Sequence, residues 1–133
     1  MTGDFAPYYA VIFTSKRPAA AASSGYVETA RRMDELAQQQ PGYLGQDSRY
    51  TPTEDGGMEG VTISYWTDEE SIKGWRDDSE HRAARARGRA EWYESWNIRV
   101  CKIEREYGSP QKAAGGASGF SENLPPLLGL RPT

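Results

Sequence analysis

The sequence predicts an α+β domain whose strands and helices follow the order β-α-β-β-α-β. Three observations support this prediction. Four short apolar or alternating segments are typical of strands, two segments with helical periodicity lie between them, and a Gly-rich turn joins the two central strands. With 133 residues, 37% of them hydrophobic, the chain can bury one modest core.

The first half of the domain begins with a strand and continues with a helix. The strand PYYAVIFTS (7–15) is almost continuously apolar, which predicts that both of its faces are covered. In GYVETARRMDELAQQQPG (25–42) the apolar residues recur on one side, as in an amphipathic helix. Ser23 or Ser24 is expected to cap this helix, and Pro41-Gly42 to end it. Residues 1–7 are expected to be a leader.

A hairpin is predicted next, with strands YLGQDSRYTP (43–52) and VTISYW (61–66) and the turn TEDGG (53–57). The second of these strands alternates, because successive side chains of a strand point to opposite faces. Val61, Ile63 and Tyr65 are therefore expected on one face of the sheet. Their neighbours Thr62, Ser64 and Trp66 are expected on the other.

A broken helix and a last strand complete the domain. Thr67 and Glu70 match a capping box, which predicts a helix that carries Ile72 and Trp75 inward. The polar run Asp77-Asp78-Ser79 is expected to interrupt this helix before a second helical run, EHRAARARGRAEWYESW (80–96). The strand NIRVCKIEREY (97–107) follows.

This element order is the split βαβ arrangement of ferredoxin-like domains, with both helices on one face of a four-stranded antiparallel sheet. The first and last strands carry apolar residues on both faces, so a lone sheet would expose one apolar face to water. Two sheets that pair across a two-fold axis cover both such faces. The sequence therefore predicts a homodimer.

Composition excludes several classes of function. A net charge of −3 argues against a nucleic-acid binder, whose affinity comes largely from neutralising phosphates. No window approaches the ~18 apolar residues of a membrane span, and the N-terminus lacks the basic region of a secretion signal. One Cys and one His are too few for a typical metal site, and a single Cys suits a reducing compartment. We expect a cytoplasmic protein without metal, nucleic-acid or membrane partners.

Three tracts, PYYAVIFTSKRP, QQQPGYLGQDSRY and residues 63–106, resemble the antibiotic biosynthesis monooxygenase family over residues 8–107. The PGYLG turn and the spacing YW-x8-W-x5-H, from Tyr65 to His81, carry the resemblance. It implies a dimeric α+β barrel with a small-molecule pocket between sheet and helices in each protomer. It also implies one of two activities: oxygenation of aromatic compounds without metal or flavin, or binding and degradation of haem.

The haem-degrading relatives use an Asn on the first strand, a Trp on the later helix and a His ten residues after that Trp. Trp75 matches the Trp, whereas the His position falls on Arg85, with His81 one helical turn earlier. The strand YYAVIFTS has no Asn. The resemblance therefore favours activity without a cofactor, with haem as the alternative.

The leading hypothesis is a cofactor-independent monooxygenase that acts on a small aromatic or quinol-like molecule. His81 would be the catalytic base and Arg85 the partner of the substrate anion. The expected substrate contacts are the aromatic side chains Phe13, Tyr65, Trp66 and Trp75. Each also has a structural interpretation: His81 as a satisfied helix residue, the tryptophans as core, and Arg85 as part of a solvated helix face. A non-enzymatic haem-binding protein is the alternative.

The chain changes character after Tyr107. Residues 108–119, GSPQKAAGGASG, have the composition of a flexible linker, and residues 120–133, FSENLPPLLGLRPT, concentrate leucine between prolines. Two interpretations remain open for this apolar tail. It could be a strap packed on the protomer or its dimer mate, or it could dock to a protein partner that recruits the chain as cargo.

Overall fold

A computed structural model describes residues 7–109 of the chain. The elements are strand β1 (Tyr8–Arg17), a 3₁₀ turn (Ala19–Ser23), helix α1 (Tyr26–Ala37), strands β2 (Tyr43–Pro52) and β3 (Met58–Trp66), helices α2 (Glu69–Asp77) and α3 (Ser79–Arg87), a π turn (Gly88–Trp92) and strand β4 (Ser95–Ile103). Residues 1–6 of the predicted leader, and the linker and tail from residue 110 on, lie outside the described residues.

The four strands form one antiparallel sheet in the order β2-β3-β1-β4. The central strand β1 places Ile12 opposite Ile63 of β3 and opposite Arg99 of β4. The hairpin between β2 and β3 turns over residues 53–57, as predicted, with the Thr53 N–H donating to the Gly57 carbonyl at 3.0 Å. This order and orientation confirm the ferredoxin-like α+β prediction.

The two faces of the sheet differ in what covers them. On the face that we call the helix face, Val11, Phe13 and Trp66 point toward the helices and border a cavity. On the opposite face, which we call the open face, Ile12 and Ile63 are half-buried and Val61 is 38% exposed. The predicted alternation along β3 is therefore correct, because Trp66 and Val61 lie on different faces.

For both helices, the N-cap is a different residue from the one predicted. The N-cap of α1 is Gly25, whose φ of +94° suits glycine, and Ser24 Oγ instead donates to the Ala21 carbonyl at 3.0 Å. The N-cap of α2 is Asp68, not Thr67: its carboxylate accepts the Ser71 N–H at 2.8 Å, and this bond lowers the pKa of Asp68. The carboxylate of Asp68, one residue after Thr67, accepts a hydrogen bond from a free N–H group of the first turn, as the predicted Thr67 hydroxyl would have done.

The predicted break between the two later helices is confirmed at Asp78. Its backbone, with φ −57° and ψ 130°, leaves the helical region and ends α2. Its carboxylate then accepts the His81 N–H at 2.9 Å and caps α3. One residue therefore ends one helix and starts the next.

The buried core is aromatic and lies toward one end of the sheet. Tyr26 packs edge-on against Trp92, with ring centroids 5.4 Å apart, and Ala21 completes the cluster. The guanidinium of Arg17, a residue that is 5% exposed, stacks 4.2 Å from the centre of the Tyr26 ring. Tyr26 and Trp92 also border a cavity that lies between the sheet and the helices. None of the helices in the described residues is long and apolar enough to cross a membrane.

Candidate functional site

A cavity of about 370 Å³ lies between the helix face of the sheet and the helices. Its volume falls within the range of small-molecule sites in proteins. Side chains of all four strands form the floor: Val11, Phe13, Gln46, Tyr50, Thr62, Ser64, Ile98 and Val100. Side chains of the helices form the walls: Ala30, Met33, Ile72, Trp75, His81, Ala84 and Arg85. The lining is therefore mostly apolar, with a few polar groups that converge on it.

His81 and Trp75 stack inside this cavity. Their ring centroids are 3.8 Å apart and their planes differ by 8°. Trp75 stacks in turn on Trp66, with centroids 6.4 Å apart and an angle of 25°. Trp66 is fully buried, and its indole N–H donates to Ser64 Oγ at 2.9 Å. The three rings form a continuous wall that holds the imidazole in one orientation.

The hydrogen bond of His81 determines which of its nitrogens is free. Nδ1 lies 2.9 Å from the Trp75 carbonyl oxygen, which can only accept, so Nδ1 carries the proton. Nε2 then keeps its lone pair. Burial, and to a smaller extent the positive charge of Arg85, lower the pKa of His81 to about 4, against the raising effects of the Trp75 carbonyl and of Asp78. The imidazole is therefore neutral at physiological pH.

Arg85 lies four residues after His81 and also borders the cavity. Its Nη2 donates to the Arg76 carbonyl at 2.7 Å, which fixes the guanidinium. Its Nε is buried and has no hydrogen-bond partner among the described residues. Burial lowers the pKa of Arg85, and the nearby charges of Arg89 and Arg76 act in the same direction. The site therefore combines the neutral imidazole of His81 with the guanidinium of Arg85, whose Nε–H is an unused hydrogen-bond donor among the described residues.

The structure brings five of the six predicted site residues together: Phe13, Trp66, Trp75, His81 and Arg85 all border the cavity. Phe13 packs edge-on against Tyr93, with centroids 5.4 Å apart. The exception is Tyr65, which lies on the open face. Its hydroxyl donates to Asp47 at 2.9 Å, and burial together with this carboxylate raises the pKa of Tyr65. Strand alternation separates it from Trp66, so it is not a contact in this cavity.

Sequence reasoning missed a buried carboxylate in the same cavity. Asp34 of α1 is 5% exposed and accepts from Gln46 Nε2 and Gln38 Nε2, each at 3.1 Å. Asp34 lies on the same side of α1 as Ala30 and Ala37. A charged residue within the apolar side of the helix is therefore the sequence pattern that could have identified it.

Within residues 7–109, no group of three or more His, Cys, Asp or Glu side chains is arranged to hold a metal ion.

Comparison with protein families gives one match that spans most of the domain. The model of the antibiotic biosynthesis monooxygenase family matches residues 8–87. A protein of Bacillus subtilis (strain 168), YqjZ, whose function is uncharacterized, is 45% identical over 100 residues, which are 75% of this chain and 82% of that protein. The residues that the family model matches run from β1 to α3 and include Trp66, Trp75 and His81.

Solved structures share the fold at low sequence identity. SnoaB, a cofactor-independent oxygenase from Streptomyces nogalater, superposes with a TM-score of 0.58 at 15% identity, over 82% of this chain and 99% of that one. A protein of Caulobacter crescentus CB15, provisionally described as an antibiotic biosynthesis monooxygenase, superposes with a TM-score of 0.61 at 17% identity, over 77% and 93%. At these identities the likeness concerns the fold alone.

Proposed function

Because this chain belongs to the antibiotic biosynthesis monooxygenase family, we propose that it is a monooxygenase that works without a cofactor on a small hydroxylated aromatic compound. The substrate binds in the cavity between the helix face and the helices. The observation that carries the proposal is the state of His81: a neutral imidazole, fixed on Trp75, with one free nitrogen in an apolar cavity.

In this proposal His81 removes a proton from the substrate. Nε2 is the acceptor, since Nδ1 already donates to the Trp75 carbonyl. An imidazole that stays neutral down to about pH 4 never has to lose a proton before it can act. The negative charge that forms on the substrate in turn favours the imidazolium, because opposite charges in a poorly solvated site attract strongly.

Arg85 stabilises the substrate anion. Its guanidinium is one helical turn from His81, and its buried Nε–H has no acceptor among the described residues. A donor that is fixed in place before the charge forms requires no reorganisation when it does. The apolar floor and the tryptophan wall keep water away from the anion.

The anion supplies the electrons that a cofactor would otherwise provide. An electron-rich aromatic anion transfers one electron to O₂, and the resulting substrate radical and superoxide combine to a peroxide. Loss of water from a peroxide formed at a CH₂ carbon leaves a carbonyl there. One CH₂ group and one O₂ thus give one C=O group and one water, so atoms and electrons balance without another reductant.

The proposal is tested with 1,8-dihydroxyanthrone, whose acidic CH₂ group is converted to a quinone carbonyl. We expect oxygen uptake above the rate of the buffer alone, and one atom of ¹⁸O from ¹⁸O₂ in the product. His81→Phe keeps a flat ring against Trp75 but removes the base, and we expect a rate loss of about 10²–10⁴-fold. Arg31→Gln, on the exposed side of α1, is the control. A His81→Phe variant as fast as the unmodified chain would show that His81 is not the base.

The free nitrogen of His81 also favours a second candidate, binding of haem. Haem supplies an iron centre when bound, and Nε2 is the one imidazole nitrogen of the cavity that could ligate it. Arg85 and Arg89 border the same cavity and suit anionic substituents. A Soret band that shifts when haemin is added, and does not shift in His81→Phe, would support this candidate. An unshifted band would remove it.

We further propose that the working unit is a homodimer formed through the open face. Val61 is 38% exposed there, beside the half-buried Ile12, Ile63 and Cys101. An apolar face of this kind is stable in water once a second copy covers it.

A further inference from the structure

Two of the arginines that border the cavity, Arg85 and Arg89, have no acidic partner among the described residues. They are one helical turn apart, and Arg82, one turn before Arg85, lies on the same side of α3 but outside the cavity lining. No carboxylate of the described residues forms an ion pair with any of the three. Other arginines behave differently: Arg32 pairs with Glu80 at 2.6 Å, and Arg87 with Glu91 at 3.2 Å. Arg76 also borders the cavity and pairs with Asp77 at 3.3 Å, so Arg85 and Arg89 are the lining arginines without a carboxylate partner in residues 7–109.

Arg85 is the centre of this group. The positive charges of Arg89, Arg76 and Arg82 all act on it, against the single negative charge of Asp77. Its Nη2 is occupied by the Arg76 carbonyl, whereas its Nε is buried without an acceptor. A buried donor with no partner in a native protein calls for an explanation, and an anion that occupies the site on binding is one. Such an anion would also relieve the repulsion among the arginines.

An exposed apolar surface continues from these arginines along β4. Trp96, Ile98 and Val100 are 41%, 41% and 51% exposed and border the same cavity. The guanidinium of Arg89 lies 4.7 Å from the centre of the Trp96 ring. Cations and a flat apolar surface therefore meet at one side of the cavity, where a ligand with an acidic group on an aromatic ring would satisfy both.

We propose that the cavity selects aromatic acids, with the carboxylate bound by the Nε–H of Arg85 beside Arg89 and the ring system against Trp96, Ile98 and Val100. This inference rests on the proposed function, because it assigns a substrate class to the same cavity. His81 and Arg85 are separated by one helical turn on the same side of α3. A hydroxyl close to the carboxylate on the ring would therefore lie near His81 Nε2, the proposed proton acceptor.

The inference is tested by titrating the full chain with 1-hydroxy-2-naphthoate and with its uncharged amide, 1-hydroxy-2-naphthamide, in a calorimeter. We expect the acid to bind at least tenfold more tightly than the amide at low salt. We expect 0.5 M NaCl to reduce this difference, since salt screens charge attraction. Arg85→Gln should abolish the preference for the acid, mainly through weaker binding of the acid. Arg89→Gln should reduce the preference severalfold and provides the same test if Arg85→Gln does not fold.

Arg31→Gln removes an equal charge from the exposed side of α1 and is the control. Equal affinity for acid and amide would overturn the inference, as would a loss of preference in Arg31→Gln as large as in Arg85→Gln. The outcomes separate this inference from the proposed function. Turnover of 1,8-dihydroxyanthrone without any preference for the acid would overturn the substrate class alone. A preference for the acid that depends on Arg85, without turnover of the anthrone, would support the binding site and contradict the oxygenase.

Discussion

The imidazole of His81 lies parallel to the indole of Trp75, with ring centroids 3.8 Å apart. The residues are six apart in sequence, and six steps of about 100° along a continuous helix would direct them to different sides. Asp78 makes the contact possible, because its extended backbone ends α2 and its carboxylate caps α3 through the His81 N–H. The break in the helix therefore positions the proposed base.

This role of Asp78 predicts different effects for two substitutions. Asp78→Ala removes the cap of α3 and should lower the free energy of unfolding by about 1 kcal/mol, while Asp78→Asn keeps an effective cap and should stay close to the unmodified chain. Turnover of 1,8-dihydroxyanthrone should fall in Asp78→Ala, because His81 loses its fixed position. Urea denaturation and oxygen uptake measure the two effects. Equal stability and turnover in both variants would mean that the cap does not position His81.

The lowered pKa of His81 predicts that acid destabilises the fold. The folded pKa is about 4 and the ordinary value is 6.5, so between these values the unfolded chain binds the proton and the folded chain does not. The contribution of neutral His81 to the free energy of unfolding is therefore fully present above about pH 7 and is lost progressively as pH falls toward 4. Between pH 7.5 and 5.5 we expect a loss of about 1.4 kcal/mol, or several degrees in Tm.

The control for this prediction is His81→Phe, because His81 is the only histidine of the chain. The variant should lose most of the difference in Tm between pH 7.5 and 5.5, since no other imidazole titrates there. Carboxylates with lowered pKa values, such as Asp68, lose their stabilising contribution only at pH values more acidic than this range. An unchanged pH dependence in His81→Phe would contradict the buried, neutral state assigned to His81.

The fold was largely predictable because its signals are local and periodic. The alternation along β3 separates Trp66 from Tyr65, and the polar run at Asp78 interrupts the helix where the structure does. The cap residues were less predictable, since Asp68 and Thr67 are adjacent and both suit an N-cap. Tyr65 was expected at the substrate because it is part of a family motif, although its own strand pattern places it on the open face.

The candidate site was predictable only where its residues follow one another along the chain. Trp75, His81 and Arg85 belong to one helical segment, so helical geometry relates them directly. Asp34 and Gln46 come from α1 and β2, and their hydrogen bond depends on how the helix packs on the sheet. The unpaired state of Arg85 depends on which carboxylates lie near it in space, which spacing along the chain does not determine.

The open face predicts the effect of a charge on assembly. Ile12→Asp places a carboxylate at the centre of this face, opposite Ile63. An unpaired charge buried in an interface costs several kcal/mol, roughly 3–5 by the measured cost of breaking buried pairs. We expect light scattering to detect dimers for the unmodified chain and for Gln39→Asp, on an exposed turn, and monomers or aggregates for Ile12→Asp. A dimeric Ile12→Asp variant would place the interface elsewhere.

Replacement of glycine by alanine is expected to have opposite effects at Gly42, in the turn between α1 and β2, and at Gly74, within α2. Gly42 has a φ of +83°, and its carbonyl accepts the Thr67 N–H at 2.9 Å, so the turn lies directly on the start of α2. A Cβ at this position would lie 2.7 Å from Thr67 Oγ1 and closer still to the Ser71 side chain. Gly42→Ala therefore combines an unfavourable backbone with a clash and should cost about 1–3 kcal/mol.

The matched substitution is Gly74→Ala in α2, where a Cβ would meet no atom within 4 Å and the backbone φ is not positive. Alanine is the better helix former by about 0.5–1 kcal/mol, so this variant should gain stability. Both variants replace one glycine by alanine, and their urea midpoints should move in opposite directions from that of the unmodified chain. If Gly42→Ala also gains stability, the turn adapts to a side chain, and its close approach to α2 does not position the helix that carries Trp75.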